Sequence, residues 1–215
     1  MAGKITQVSK KQSIPAATVP RLSQYLRKLQ EIQSRGTTTI SSKQIADEVG
    51  TNPAQIRKDL SYFGEFGVRG VGYDVDRLIK ELEKCLGLNR AWNVIIVGAG
   101  KLGTALALYR GFQKQGFNLL AMFDADREVV GTDRGAGPVK PVADLETFLE
   151  KNTVHIAIIT TPATPAQALI DRITAAGVPS VLNFAPIRAT TSQPAILRQV
   201  DLSTELMILS FHLDK

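Results

Sequence analysis

The stretch Asn93-Val94-Ile95-Ile96-Val97-Gly98-Ala99-Gly100-Lys101-Leu102-Gly103 restricts the fold of this chain more than any other. Its first part is an apolar run, the pattern of a strand buried on both faces of a parallel sheet. The glycines follow at once as G-x-G-x-x-G and lead into a helical pattern over Thr104 to Arg110. Gly98 makes the tight turn, Gly100 lets backbone approach a pyrophosphate, and Gly103 lets the helix pack on the strand. The pyrophosphate would meet free N–H groups at the helix N-terminus. The fingerprint alone is weak, and context decides it. Phe117 to Phe123 reads as a second buried strand ending in Asp124, 21 residues beyond Gly103. A carboxylate there can accept both ribose hydroxyls of an adenosine, which favours NAD(H). Arg127, close behind, would suit the 2′-phosphate of NADP(H). A domain of the same fold that binds coenzyme A, or that has lost its ligand, is the alternative.

The alternation of strands and helices continues. Leu145 to Leu149 is a short helix and Val154 to Ile159 a strand. Thr160-Thr161-Pro162 follows the carboxyl end of that strand, where ligands lie in open α/β sheets. Thr164 caps a helix through Ala175, Gly177 ends it, and Ser180 to Asn183 is a further strand. The expected architecture is an α/β Rossmann domain over residues 89–199. Its candidate dinucleotide contacts are Gly98, Ala99, Gly100, Lys101, Leu102, Gly103, Asp124, Thr160, Thr161 and Pro162. His155, at the start of an apolar strand, reads as structural. The last segment, 200–215, is a helix capped by Asp201 and carrying Leu202, Leu206, Met207, Leu209, Phe211 and Leu213. A helix this apolar must dock, either on its own domain or on a partner subunit.

Charge divides the chain. Residues 1–90 hold 15 Lys and Arg against 9 Asp and Glu, whereas residues 91–215 hold 11 of each. The whole formal net charge of +6 therefore belongs to the first part, as expected of a polyanion reader joined to a neutral module. Residues 1–19 read as a flexible basic arm. From Pro20, placed at a first helical position, Leu22, Tyr25, Leu26, Leu29 and Ile32 repeat at helical spacing, and Gly36 stops the pattern. Thr37 to Ile40 is a β-branched strand candidate. Ser41 with Gln44 three residues on is a capping box for a helix that turns Ile45, Ala46 and Val49 inward and ends at Gly50. Asn52 caps and Pro53 opens a second helix, read to Phe63, with Ile56, Leu60 and Phe63 inward. Two helices joined this closely form a helix-turn-helix. The outer face of the second offers Ala54, Lys58 and Ser61, flanked by Gln55, Arg57 and Tyr62, small and cationic groups suited to a major groove. Gly64 to Tyr73 reads as a hairpin with Arg69-Gly70 at its tip, a wing. Asp74 caps a last helix with Leu78, Ile79, Leu82, Cys85 and Leu86 inward. Residues 20–88 are thus expected to form a winged-helix domain. Its candidate DNA contacts are Arg21, Gln55, Arg57, Lys58, Ser61, Tyr62 and Arg69.

One cysteine and two histidines leave no means for an intrachain disulfide or a cysteine- or histidine-based metal centre. No apolar run approaches the roughly 18 residues of a membrane helix, and the N-terminus lacks a secretory h-region. A cytoplasmic protein without a membrane partner is expected.

The order of winged helix, Rossmann domain and apolar tail resembles the redox-sensing transcriptional repressors of the Rex family. The resemblance rests on Gln55-Ile56-Arg57-Lys58-Asp59-Leu60-Ser61-Tyr62-Phe63-Gly64, on Gly67-Val68-Arg69-Gly70-Val71-Gly72-Tyr73, and on Val97 to Gly103. Leu182-Asn183-Phe184-Ala185-Pro186, Asp201-Leu202-Ser203 and Leu209-Ser210-Phe211 also match. It implies a homodimer on an inverted-repeat operator in double-stranded DNA, released when NADH binds and not when NAD+ does. It also implies a C-terminal helix swapped between subunits, and a switch pairing Tyr109, on the first Rossmann helix, with Asp201, with Lys101 taking part. No catalytic residue is expected. The rivals are an NAD-dependent dehydrogenase or a coenzyme A-binding protein with an accessory DNA-binding domain, and a winged-helix regulator whose second domain only dimerises.

Overall fold

The computed structural model describes residues 15 to 213 apart from 16, 63, 65 and 69. They fall into two compact units, with the chain dividing between Asn89 and Arg90. In the first, the order is α1 (Thr18–Ser34), β1 (Thr39–Ile40), α2 (Ser42–Val49), α3 (Pro53–Ser61), β2 (Gly67–Val68), β3 (Gly72–Asp74) and α4 (Val75–Cys85). The strands form an antiparallel sheet in the order β1-β3-β2. This is a winged helix. Side chains define its helix starts locally. Ser41 and Gln44 make both bonds of a capping box. The Asn52 side chain accepts from the Gln55 N–H at 2.8 Å, and Asp74 accepts from the Arg77 N–H at 2.8 Å. Each such cap stabilises its helix by about 1 kcal/mol. Leu22, Tyr25, Leu26, Leu29 and Ile32 are buried on α1 and meet Ile45, Ile56, Leu60, Leu78 and Leu82 in one core.

Three expectations change here. Helix α1 begins at Thr18, two residues before Pro20. Helix α3 ends at Ser61, and Phe63 lies outside the described residues, as does the arm up to residue 14. Cys85 is exposed rather than part of the core. It is the last residue of α4, and Leu86 and Leu88 beyond it pack on the core in its place.

The second unit runs β4 (Trp92–Val97), α5 (Lys101–Ala107), α6 (Arg110–Lys114), β5 (Phe117–Asp124), β6 (Lys140–Pro141), a 3-10 turn, α7 (Leu145–Lys151), β7 (Ile156–Ile159), α8 (Ala163–Ala175), β8 (Ser180–Asn183), β9 (Ile196–Gln199) and α9 (Leu202–Leu213). Its six strands are all parallel, in the order β6-β5-β4-β7-β8-β9. Numbered within this unit, the order is 3-2-1-4-5-6, that of the dinucleotide-binding fold. Strand β4 sits at its centre. Ile95 and Val97 enter one apolar core with Phe123 and Ile170, while Val94 and Ile96 enter another with Met122 and Ile158. This accounts for the apolar run in the sequence. His155 precedes β7. Its Nδ1 accepts from the Asn93 N–H at 2.9 Å and its ring packs edge-on against Trp92, a structural role.

The helical pattern expected from Thr104 to Arg110 is interrupted. The last turn of α5 tightens, with the Tyr109 N–H bonding the Leu106 carbonyl at 3.2 Å. Tyr109 then takes extended backbone (φ −73°, ψ 101°) before α6 starts. Tyr109 therefore stands in the break, not on the first helix. Thr164 does not cap α8, because Pro162 occupies the cap position and the helix opens at Ala163. Strand β7 is two residues shorter than expected, and α7 two longer. The strands β6 and β9 had no counterpart in the sequence pattern.

Candidate functional site

In the winged helix, the sequence places seven candidate DNA contacts on α1, α3 and the wing. Arg57 and Lys58 are exposed on α3, and the Arg57 guanidinium donates to Ser42 Oγ at 3.0 Å, so it is held over the start of α2. Ser61 is exposed and donates its hydroxyl to the Lys58 carbonyl at 2.8 Å. Tyr62 is half-buried at the end of the helix. The wing closes with the Val71 N–H on the Val68 carbonyl at 3.0 Å. Its Arg69 lies outside the described residues.

Arg21 and Gln55 are already engaged, and their partner was missed. Asp59 of α3 is fully buried. Its Oδ2 accepts from Arg21 Nε at 2.6 Å and from the Tyr25 hydroxyl at 2.8 Å. Its Oδ1 accepts from Arg21 Nη2 at 2.7 Å, Gln55 Nε2 at 2.8 Å and Thr18 Oγ1 at 3.4 Å. Burial would push this carboxyl up, but the hydrogen bonds from Arg21, Tyr25 and Gln55 outweigh it and hold the group below the usual aspartate value. The same arrangement pushes the Tyr25 hydroxyl up to about 12, through burial first and its bond to Asp59 second. A signal existed in the sequence. Asp59 falls beside Ile56 and Leu60 on the inward face of α3, and a carboxylate there must be paired.

In the second unit, the glycine loop joins β4 to α5 at the point where the strand order reverses, between β4 and β7. Gly98 has φ +106° and touches Thr160. A Cβ on it would lie 2.7 Å from the Thr160 carbonyl carbon. Gly103 is buried, and a Cβ there would collide with the Gly98 carbonyl. These two glycines are required by the protein's own packing. Gly100 is different: a Cβ on it would meet nothing within 4 Å. Its side faces open space, beside a helix start that no side chain caps. Thr160 donates its hydroxyl to the Gly98 carbonyl at 2.7 Å. The neighbouring Thr161 Oγ1 is buried without a hydrogen-bond partner among the described residues. Lys101 and Leu102 are exposed on the first turn of α5, and Pro162 is exposed at the cap of α8. Asp124, at the end of β5, accepts from the Ala99 N–H at 2.6 Å and from the Asp126 N–H at 2.9 Å. It therefore shapes the loop. The structure brings the Gly98–Gly103 loop, Asp124 and the Thr160–Pro162 turn together at the carboxyl ends of β4, β5 and β7.

Tyr109 and Asp201 are not joined by a hydrogen bond within the described chain. Tyr109 is 60% exposed and its ring packs edge-on against Phe112. Asp201 caps α9, accepting from the Ser203 N–H at 2.9 Å and the Thr204 hydroxyl at 3.1 Å. Those bonds, led by the Ser203 amide, lower its carboxyl below the usual value. Helix α9 has no buried residue. On the face of the sheet that carries α5, an apolar cleft of about 330 Å³ is lined by Val94, Ile96, Tyr109, Ile158, Leu182 and Ile196 among others. Among the described residues no group of His, Cys, Asp and Glu could hold a metal ion, and no helix is long and apolar enough to cross a membrane.

Residues 13–61 match the family "Putative DNA-binding protein N-terminus", and residues 89–187 match "CoA binding domain". The chain is 46% identical over 200 residues to a protein of Carboxydothermus hydrogenoformans named redox-sensing transcriptional repressor Rex, covering 93% of this chain and 96% of that one. It is 47% identical over 204 residues to the Streptomyces avermitilis protein of the same name, covering 95% and 81%. Among solved structures it resembles RSP in complex with β-NAD+ and operator DNA, with 38% identity and a TM-score of 0.90 over 95% of this chain and 94% of the other. It also resembles RSP in complex with β-NADH, with 36% identity and a TM-score of 0.87 over 95% and 96%. RSP is described as a Rex-family repressor.

Proposed function

The chain belongs to the Rex family of redox-sensing transcriptional repressors, and from that premise we propose that it is a cytoplasmic repressor that couples operator binding to the NADH/NAD+ ratio, without catalytic turnover. One observation carries the reading. A single chain joins a capped helix-turn-helix and wing to a 3-2-1-4-5-6 sheet whose ligand loop is open over Gly100. The winged helix meets double-stranded DNA through Gln55, Arg57, Lys58, Ser61, Tyr62 and Arg69. Arg21 acts there chiefly as the partner of Asp59. The Rossmann domain takes NADH or NAD+. The groups in place fit that ligand: open space over Gly100 for a pyrophosphate, the helix start after it, a Thr161 hydroxyl without a partner among the described residues, and a carboxylate at Asp124.

The mechanism is linkage. If NADH binds best to a dimer whose two recognition helices are misplaced for two half-sites, it must weaken DNA binding by the same factor. The exposed α9 supports a homodimer in which each tail covers apolar surface of the other copy. Tyr109, exposed at the break before α6, and Asp201, at the start of α9, are then the pair that the tail brings together across subunits, with Lys101 beside them in the glycine loop. A second reading is a coenzyme A sensor, favoured by the family match over residues 89–187. Asp124 weighs against it, because coenzyme A carries a 3′-phosphate on the ribose that this carboxylate would repel.

The test is a titration of the full chain on a DNA duplex bearing an inverted-repeat operator, with NADH, NAD+, NADPH and coenzyme A added separately. Release by NADH alone is expected. Release by coenzyme A, or no response to any of the four, overturns the assignment. Turnover of NADH with a panel of small carbonyl compounds would overturn the non-catalytic part.

A further inference from the structure

The buried carboxylate of Asp59 has a consequence for base reading, resting on the DNA-binding role given above. A carboxylate offers about four lone-pair sites, and five hydrogen bonds reach Asp59 from Arg21, Tyr25, Gln55 and Thr18. It is a saturated, fixed anion. Gln55, one turn earlier on α3 and half-buried, donates its Nε2 to that anion at 2.8 Å. The amide cannot turn over, since that would set Oε1 against Oδ1, two acceptors at hydrogen-bond distance. Of the two amide hydrogens, the one pointing away from Oε1 must face Asp59, because using the other would swing Oε1 toward the negative charge. Oε1 and the remaining hydrogen are thus left side by side on the outer edge of the amide. An acceptor beside a donor complements the N6–H and N7 of adenine in the major groove. Gln55 also lies in the first turn of α3, and it is the N-terminal residues of a recognition helix that reach base edges.

We propose that Asp59 is a positioning residue that locks the Gln55 amide in one orientation, and that Gln55 so oriented selects adenine at one position of each operator half-site. Discrimination at that position is expected to be about 5- to 150-fold, as for one good bidentate base contact worth ~1–3 kcal/mol. The other positions should be read independently of it.

The experiment is selection by the full-length chain from duplexes carrying an inverted repeat of randomised half-sites, with wild type, Gln55→Ala, Gln55→Glu and Asp59→Asn compared. Wild type should enrich adenine at one position per half-site. Gln55→Ala should lose that preference alone. Gln55→Glu, which replaces the donor to Asp59 by a second carboxylate, should also lose the adenine preference. Asp59→Asn should relax the same position while leaving the salt slope on random-sequence DNA unchanged, a readout that mere loss of structure would move. Gln55→Ala removes no buried charge, so it stands as the test even if Asp59→Asn fails to fold. The proposal is overturned if Gln55→Ala keeps the wild-type preferences, loses a guanine or thymine instead, or weakens every position equally. If wild type enriches nothing, the DNA-binding reading falls and the proposal with it. An enriched motif untouched by Gln55→Ala removes the proposal alone.

Discussion

Gly98 and Gly103 are held to glycine by their neighbours in the chain and Gly100 is not, and the difference can be tested. Gly103 lies against the Gly98 carbonyl and Thr160, so Gly103→Ala should overpack the loop and destabilise the second unit by about 1–3 kcal/mol, seen as a lower midpoint in urea. Gly100 meets nothing in the chain, and its φ of −69° suits any residue. Gly100→Val should therefore melt like wild type yet fail to quench or shift NADH fluorescence on titration. Ordinary NADH binding by Gly100→Val would mean that the ligand does not pass over this residue. Asp59 gives a second prediction at this scale, a pH dependence. Its carboxyl is held below the unfolded value, burial being outweighed by its hydrogen bonds. Its stabilisation is accordingly complete above about pH 4 and is lost as pH falls from there through the depressed folded value. A thermal melt of wild type should show a steep acid limb below about pH 4, and Asp59→Asn a lower but flatter one. Parallel limbs would mean that Asp59 is not the group titrating.

At the scale of elements, what could be read from the sequence was what neighbouring residues decide. The capping box of Ser41 and Gln44, the Asn52-Pro53 start of α3 and the Asp74 cap of α4 each need only three or four residues, and each forms. Central strands announce themselves by apolar runs, as β4 does. The elements that escaped depend on distant partners. Strand β9 (Ile-Leu-Arg-Gln) is polar at half its positions and is a strand because it pairs with β8. The Asp59 cluster spans 41 residues from Thr18. The break between α5 and α6 has no proline to mark it. There the Tyr109 ring packs edge-on against Phe112 and lies over Gly111, where a Cβ would collide with it. Within α3, the exposed Lys58 makes no ion pair among the described residues. Lys58→Ala should weaken binding to all sequences alike and lower the slope of log affinity against log salt by about one. A change confined to one operator sequence would make Lys58 a base reader instead, and an unchanged affinity would remove α3 from the interface.

At the scale of the whole molecule, α9 poses the remaining physical question, because twelve residues, most of them apolar, leave water nowhere else to be excluded. Leu206, Met207, Leu209, Phe211 and Leu213 are all exposed on the single chain, Leu213 by 87%. A helix apolar on every side is stable only when surrounded. Its own unit does not surround it, whereas an apolar cleft on the same unit opens beside the exposed Tyr109 and Ile196. A second copy meets both needs with one symmetric exchange. Leu206→Asp then places one carboxylate in each of two equivalent contacts. Losing the burial of a leucine at both, at about 1.5–3 kcal/mol each, should weaken the dimer by roughly 10²- to 10⁴-fold. Sedimentation equilibrium should show monomer at concentrations where wild type is dimeric. The winged helix does not include this residue, so each copy should still bind a single half-site duplex as before. Affinity for the full inverted repeat should fall toward that single-site value, because the effective concentration that links the two half-sites is gone. A variant that stays dimeric and keeps its affinity for the inverted repeat would place the tail on its own subunit, and the signal would then have to reach DNA by another route.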